Sequence, residues 1–596
     1  MTDYLGSTLR DRPALRRAAV LLVVLLALAL VALGGSLLHA QSASPAPRRS
    51  AVVGRTSTVC TVQDVDAAAT AAPTPSSSAS PDPSPSSSPS DSGPAPTPAS
   101  PTPEDPASPT PASPTPASPT PASPTPASPT PASPTPASPT PVDSAGPTPT
   151  ATPVATPSPE PTPTAANTAT TGADTTPSTV SAVAVRQGSD DQGTLTGSPL
   201  AGGDAELTLT QQGSGKQLPQ VSAPVVLTGE GSMATAGSGV VSSTSSKGET
   251  TGLMAAPCLV PGTEQWLVGI GSTDADRTEL ILSNPDDAQA EVDLRFYGPK
   301  GRLVVPGSPG VVIGARETKT LSVSSLIDSD GPTSVSVRTS EGRVSVAARR
   351  LRSDKDLKPA GADWQVPSVT PATTSVVPGV PGGDGSRVLA VVNPGTARAT
   401  VQVEVLGLSG AFAPADAATL VVAPESTATV ELTAGLAGDS GSIRLRSDQP
   451  VSGSVVSTSS RSDAVPDFAV QSTQPALVRQ GVSALATTTG PTDSELVLSN
   501  GGDTDAALTF EVLSYTGVSL RKDDLLLGAG STATRRLTSP GPSYVVVTVP
   551  GDSAVVGSVT LSQPDGDVAG LTTVPLTSPD VASRAPRVRQ DPAVAR

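Results

Sequence analysis

The chain runs to 596 residues, with 67 prolines and 54 glycines but only two tryptophans, four tyrosines and four phenylalanines. Its formal net charge of −16 at pH 7 argues against nucleic acid, whose binding needs clustered Lys and Arg. One histidine, His39, and two cysteines exclude histidine-dependent triads, Cys–His pairs and His/Cys zinc sites from everything beyond residue 39.

Residues 18–38 (AAVLLVVLLALALVALGGSLL) form a run without a charge. As a helix it would span about 31 Å, the thickness of a bilayer hydrocarbon core. Arg10, Arg12, Arg16 and Arg17 precede the run, and no Lys or Arg follows until Arg48. The positive-inside rule then makes 1–17 a cytoplasmic N-terminus, 18–38 a transmembrane anchor and 39–71 an extracytoplasmic segment. A cleaved signal peptide is the competing reading. The run is long for one, and cleavage after Ala40 would put Leu38 where a small residue is wanted, so the uncleaved anchor at the plasma membrane is favoured.

Residues 72–177 read as a disordered, Pro-rich tract, with seven uninterrupted copies of ASPTP over 107–141. Such a segment has almost nothing apolar to bury and cannot offset the entropy of ordering. It is either a spacer, with Ser and Thr open to O-glycosylation, or a tolerated repeat expansion in a loop. Cys60 precedes the tract and Cys258 follows it. In an exported chain an isolated pair forms a disulfide more often than two unpaired thiols. A Cys60–Cys258 bond would loop the tract out between two tied points. Residues 178–257 are expected to form a small, loose β unit together with 50–66.

All the aromatic residues but Tyr4 lie beyond residue 265, so the densest packing is expected there. Three segments align on Asn284, Asn393 and Asn500. Apolar residues recur eight, ten and twelve positions later: Val292, Leu294 and Phe296; Val401, Val403 and Val405; Leu508, Phe510 and Val512. Glycine closes each segment at Gly301, Gly410 and Gly517. Period-two spacing that ends in glycine marks a half-buried strand entering a turn. The Asn itself, followed by Pro or Gly, reads as a turn former. The fold class is therefore mostly β: three tandem immunoglobulin-like β-sandwich repeats over 258–366, 367–474 and 475–580, then a disordered basic tail over 581–596. Paired strands are expected over 442–456 and 545–559.

Carboxylates are the acid–base groups present in quantity. The close pairs Asp274/Asp276, Asp286/Asp287, Asp328/Asp330, Asp354/Asp356 and Asp523/Asp524 lie in turn-like sequence and lack EF-hand spacing. They read as surface residues, with no catalytic, cofactor or metal role assigned. Arg343, Arg349, Arg350 and Arg352 form the densest basic cluster, either a grip for an anionic glycan or a charged strand edge.

The stretch APCLVPGTEQWLVGIGSTDADRTELILSNPDDAQAEVDLRFYGPKG, with the later VPGVPG and VLAVVNPG, resembles an uncharacterised actinobacterial family of membrane-anchored, exported β-rich proteins of unknown function. The resemblance implies an envelope protein, in a family often encoded beside a cell-envelope glycosyltransferase, and carries over no catalytic residue. The expected function is that of a non-catalytic scaffold or binding module, with cell-wall glycan or a membrane protein as partner and no cofactor. Two alternatives stand beside it: an accessory subunit of a glycan assembly or export complex, and a carboxylate-dependent glycan hydrolase.

Overall fold

A computed structural model describes residues 54–62, 177–188, 192–486, 488 and 492–579. The expected segments 1–17, 18–38, 581–596 and all of 72–177 but Pro177 lie outside the described residues. The chain divides into two compact units, 1–71 with 171–596 and 72–170, and every described residue belongs to the first.

The strands of the first β unit are β1 (Arg55–Cys60), β2 (Ser178–Ala184), β3 (Gly193–Pro199), β4 (Leu207–Leu209), β5 (Ser214–Val221), β6 (Val225–Gly231), β7 (Gly237–Ser245) and β8 (Gly252–Pro257). One sheet has the order β1-β6-β3-β4 and the other β5-β2-β7-β8. The second unit contains β9 (Glu264–Ile270), β10 (Asp276–Ser283), β11 (Ala290–Gly298), β12 (Gly301–Leu303), β13 (Val311–Ile313), β14 (Thr318–Ser322), β15 (Thr333–Glu341), β16 (Ser345–Ser353) and β17 (Pro359–Gln365). Its sheets are β12-β11-β15-β9, with β13 also on β11, and β14-β10-β16-β17.

The third unit contains β18 (Ala372–Val380), β19 (Arg387–Asn393), β20 (Ala399–Gly407), β21 (Gly410–Phe412), β22 (Thr419–Val422), β23 (Ser426–Glu431), β24 (Gly441–Ser459) and β25 (Asp467–Ser472). Here β24 pairs with β18 and β20 through its first half and with β19 and β25 through its second. The paired strands expected over 442–456 are thus one continuous strand that passes from one sheet to the other. The fourth unit contains β26 (Gln480–Ala484), β27 (Asp493–Asn500), β28 (Ala506–Ser514), β29 (Ser519–Leu527), β30 (Thr532–Leu537), β31 (Ser543–Thr548), β32 (Val555–Ser562) and β33 (Leu571–Pro575). Its sheets are β26-β31-β28-β29 and β30-β27-β32-β33.

The strand order is thus the same in all four units. The unit expected to be small and loose over 178–257 has the full set of strands once Arg55–Cys60 is counted as its first. The long tract lies between its first and second strands.

Each unit is a pair of facing sheets because its strands alternate. In β11 the buried Val292, Leu294 and Phe296 point to one side, with Glu291, Asp293 and Arg295 between them. They meet Leu280 and Leu282 of β10 and Val346 and Ala348 of β16 in one apolar core. The third unit repeats this with Val401, Val403 and Val405 against Leu389, Val391 and Val455.

The last strands of the four units, β8, β17, β25 and β33, meet at the centre of the molecule: β17 and β33 each neighbour both β8 and β25. The first unit therefore packs on the fourth as well as on the second. Its core residues Val241 and Leu253 belong to the same apolar cluster as Val482 and Leu576 of the fourth unit. The result is a closed ring of four sandwich-like units.

Candidate functional site

Cys60 at the end of β1 and Cys258 just after β8 form a disulfide. It ties the first strand of the first unit to its last, 198 residues away, so the chain that holds the tract leaves and re-enters one and the same sandwich.

The Asn residues form buried turn staples. Asn284 Nδ2 donates to the carbonyls of Ala288 (2.7 Å) and Gly314 (2.8 Å), and its Oδ1 accepts from the Asp286 N–H (3.0 Å). Asn393 bonds Ala397, Ala423 and Gly395 in the same way, and Asn500 bonds Thr504, Leu527 and Gly502.

Acids from the close pairs are engaged in local structure. Asp276 receives a bidentate guanidinium from Arg350 at 2.7 and 2.5 Å, and Arg352 stands 3.8 Å away. Asp286 pairs with Arg343 and Asp287 with Arg316. Asp354 accepts the N–H groups of Asp356 and Lys358, and Asp523 pairs with Arg521. The same contacts account for the basic cluster, since Arg349 bonds Glu279 across the β10–β16 ladder. These arginines are held by acids of their own sandwich.

Two acids that the sequence reading did not single out occupy the centre of the ring. Asp467 Oδ2 accepts the N–H groups of Leu253 in β8 (2.8 Å) and Leu571 in β33 (3.0 Å). Its Oδ1 accepts that of Ala362 in β17 (3.3 Å). Asp363 accepts from the Val470 N–H (3.1 Å) and from the Thr572 hydroxyl (2.8 Å). The two carboxyls therefore tie the four central strands together.

Burial pushes Asp467 up to about 8, against the pull of its backbone donors. It raises Asp363 well above the usual carboxylate range, with the charge of Asp467 acting in the same direction. The space around these groups is tight: a Cβ on Gly361, whose φ is +116°, would lie 2.7 Å from Asp467 Oδ1. The signal for both residues was an acid directly before an aromatic in an otherwise apolar strand, Asp363-Trp364 and Asp467-Phe468.

Hollows open where one sandwich meets the next. One of about 310 Å³ lies between the second and third units. Its floor is the outer face of the β9–β15–β11 sheet, where Trp266, Ser336 and Arg295 stand in one row of the register. Trp266 and Tyr297 stack with ring centroids 5.6 Å apart. Pro371 and Pro394 come from the third unit.

Glu264 accepts from Trp266 Nε1 (3.1 Å) and from Arg338 (2.8 Å). Burial opposes its ionisation, but the two donors hold its carboxyl below the ordinary range. A second hollow, of about 250 Å³, occupies the corresponding face of the fourth unit, beneath Arg186 of the first. Burial there pushes the Tyr544 hydroxyl up to about 12. A third, of about 400 Å³, lies between the third and fourth units beside Asp439, Asp493 and Glu495. Among the described residues no cluster of His, Cys, Asp and Glu has the grouping of a metal site. Nor is any helix there long and apolar enough to cross a membrane.

The model of a family of unknown function (DUF5719) matches residues 209–538. The chain belongs to that family. The DUF5719 match opens in β4 and closes just after β30. It therefore takes in the second and third sandwiches whole and cuts the first and fourth. No curated protein matches the sequence.

Proposed function

We propose that the chain is a non-catalytic, membrane-anchored protein of the cell envelope, whose four immunoglobulin-like repeats form a rigid extracytoplasmic ring that binds wall glycan. The observation that carries this reading is the Cys60–Cys258 disulfide of the first sandwich. A disulfide of this kind belongs to an oxidising, exported setting. The charge-free run 18–38 with arginines on one flank supplies the anchor. The resemblance to exported actinobacterial proteins points the same way. From Leu38 to Arg55 the connecting chain reaches at most about 60 Å when extended, so the ring would stand close to the membrane.

A scaffold reading also suits the polar groups. The buried acids hold strands together, and the surface acids named above hold arginines or backbone N–H groups. Sandwiches repeated in this way supply binding surface and reach.

The test is co-sedimentation of the full chain, purified in detergent, with cell walls from the source organism. Walls stripped of their secondary glycans serve as the comparison. Sedimentation that is lost on stripping is the expected result. Absence of binding to either preparation would overturn the glycan reading and direct the search to membrane protein partners.

A further inference from the structure

We propose that the hollow between the second and third sandwiches binds an acidic saccharide unit, through an anionic group held between Arg295 and Ser336. The inference rests on the glycan-binding reading above and names its site and ligand class.

It comes from a comparison of one position in two junctions of the ring. In the third sandwich, Glu404 of β20 stands opposite Arg444 of β24. The Arg444 guanidinium donates to Glu404 at 2.7 Å and to the Gly501 carbonyl of the fourth sandwich at 3.0 Å. It thereby fills that junction with an internal ion pair. In the second sandwich the equivalent register positions hold Arg295 and Ser336. The charge on one strand is reversed, and on the other a hydroxyl replaces a long cation. The neighbouring turn contributes Pro394 where the next junction has Gly501. The space is left as the hollow of about 310 Å³.

The polar groups at this place lack the partners their counterparts have. Ser336 is 1% exposed and its Oγ has no hydrogen-bond partner. Among the described residues no acid pairs with Arg295, which is exposed and lines the hollow. A buried hydroxyl without a partner is costly, and a ligand oxygen within reach would remove that cost. An anion placed there would take from Arg295 what Glu404 takes from Arg444, and would accept a hydrogen bond from Ser336. The charged residues that line the hollow are Glu264, Arg295 and Arg338, and because Glu264 and Arg338 pair with each other, Arg295 is the charge left for an anion.

The rest of the lining suits a sugar ring. Pro371 and Pro394 border the hollow over the buried Trp266–Tyr297 stack, and the Glu264–Arg338 pair offers an acceptor and a donor for hydroxyls at the rim. The volume is at the small end of ligand pockets, about 300–1,000 Å³, and favours a single sugar unit over a buried oligosaccharide.

The experiment is isothermal titration calorimetry of the full chain in detergent. The probes are sodium glucuronate, glucose 6-phosphate, neutral glucose and an N-acetylated acidic tetrapeptide. The expected result is that at least one acidic sugar binds ten-fold or more tightly than glucose. The tighter of the two identifies carboxylate or phosphate as the anion. Arg295→Ala should weaken that binding at least ten-fold. Ser336→Leu, which removes the hydroxyl and fills the hollow without adding charge, should abolish it.

Equal binding of acidic and neutral sugars, tighter binding of the peptide, or affinity unchanged in Arg295→Ala would overturn the proposal. Arg295 is exposed, so its substitution decides the matter even if Ser336→Leu does not fold. If the full chain sediments with walls but neither acidic sugar binds, this site assignment fails and the glycan reading survives. If neither occurs, both fail.

Discussion

Asp467 accepts backbone N–H groups from three strands of three different sandwiches. In the unfolded chain it ionises near the ordinary value of about 4, whereas the folded protein keeps the proton until about 8. Between these values the folded state binds more protons than the unfolded one. The contribution to stability is therefore full below about pH 4 and is lost as pH rises towards 8. Asp363, raised by burial, adds to the same trend. The urea midpoint is expected to be lower at pH 8 than at pH 5.5, and Asp467→Asn should flatten that difference. The variant should also start about 1–3 kcal/mol less stable, because its amide nitrogen would face a backbone donor. A second residue-scale prediction concerns the turn staples. Asn393 is fully buried and donates to the carbonyls of Ala397 and Ala423. Asn393→Asp turns a donor into an oxygen facing those carbonyls, and should cost about 3 kcal/mol in chemical denaturation, more than an exposed Asp or Asn exchange. The role of Asn as a turn former was legible in the sequence, because Asn-Pro and Asn-Gly act on the backbone within a few residues of themselves. The roles of Asp363 and Asp467 were not, because every partner that defines them lies on another strand.

At the scale of elements, β1 is the strand most dependent on a covalent tie. It has six residues, pairs with β6 alone in its sheet, and is followed by the long tract. The Cys60–Cys258 bond closes a loop of 198 residues, worth about 5 kcal/mol on the chain-entropy account. Cys60→Ser, or reduction of the native protein, is therefore expected to lower the thermal midpoint by several degrees and to free β1 first. Amide hydrogen exchange at residues 55–60 would show it, and unchanged protection there after reduction would contradict the assignment. Deletion of 107–141 should leave both the disulfide and the thermal midpoint nearly unchanged, since loop length enters closure entropy only logarithmically. The short strands of the three aligned segments could be read from their period of two. The continuity of β24 could not, since Asp448-Gln449-Pro450 looks like a turn. Here the chain crosses directly between the two sheets of one sandwich without reversing.

At the scale of the molecule, the ring makes the first sandwich part of the fourth sandwich's core. A fragment of residues 258–580 would lose β8, and with it the Leu253 N–H that Asp467 accepts. It would also uncover apolar residues such as Val482 and Leu576, which pack in the same cluster as Val241 and Leu253. The fragment is expected to bind a hydrophobic dye and to melt well below the full chain. A fragment as stable as the full chain, with no dye binding, would show that the first sandwich is dispensable. Binding experiments on this protein therefore call for the whole ring.

The sequence by itself determined the β character of the chain, the buried faces of its aligned strands and the turn role of its Asn residues, and it favoured the pairing of its two cysteines that the structure shows. All of these rest on local periodicity, local hydrogen bonding or simple counting. Only the tertiary structure decided that the strand order occurs four times, because the first copy is split between residues 55–60 and 178–257, with the tract between its first two strands. The closure of the ring, the central carboxylates and the hollow at Ser336 were decided there too. Each depends on which side chain faces which across a junction, and that is set by the packing of whole sandwiches rather than by neighbours along the chain.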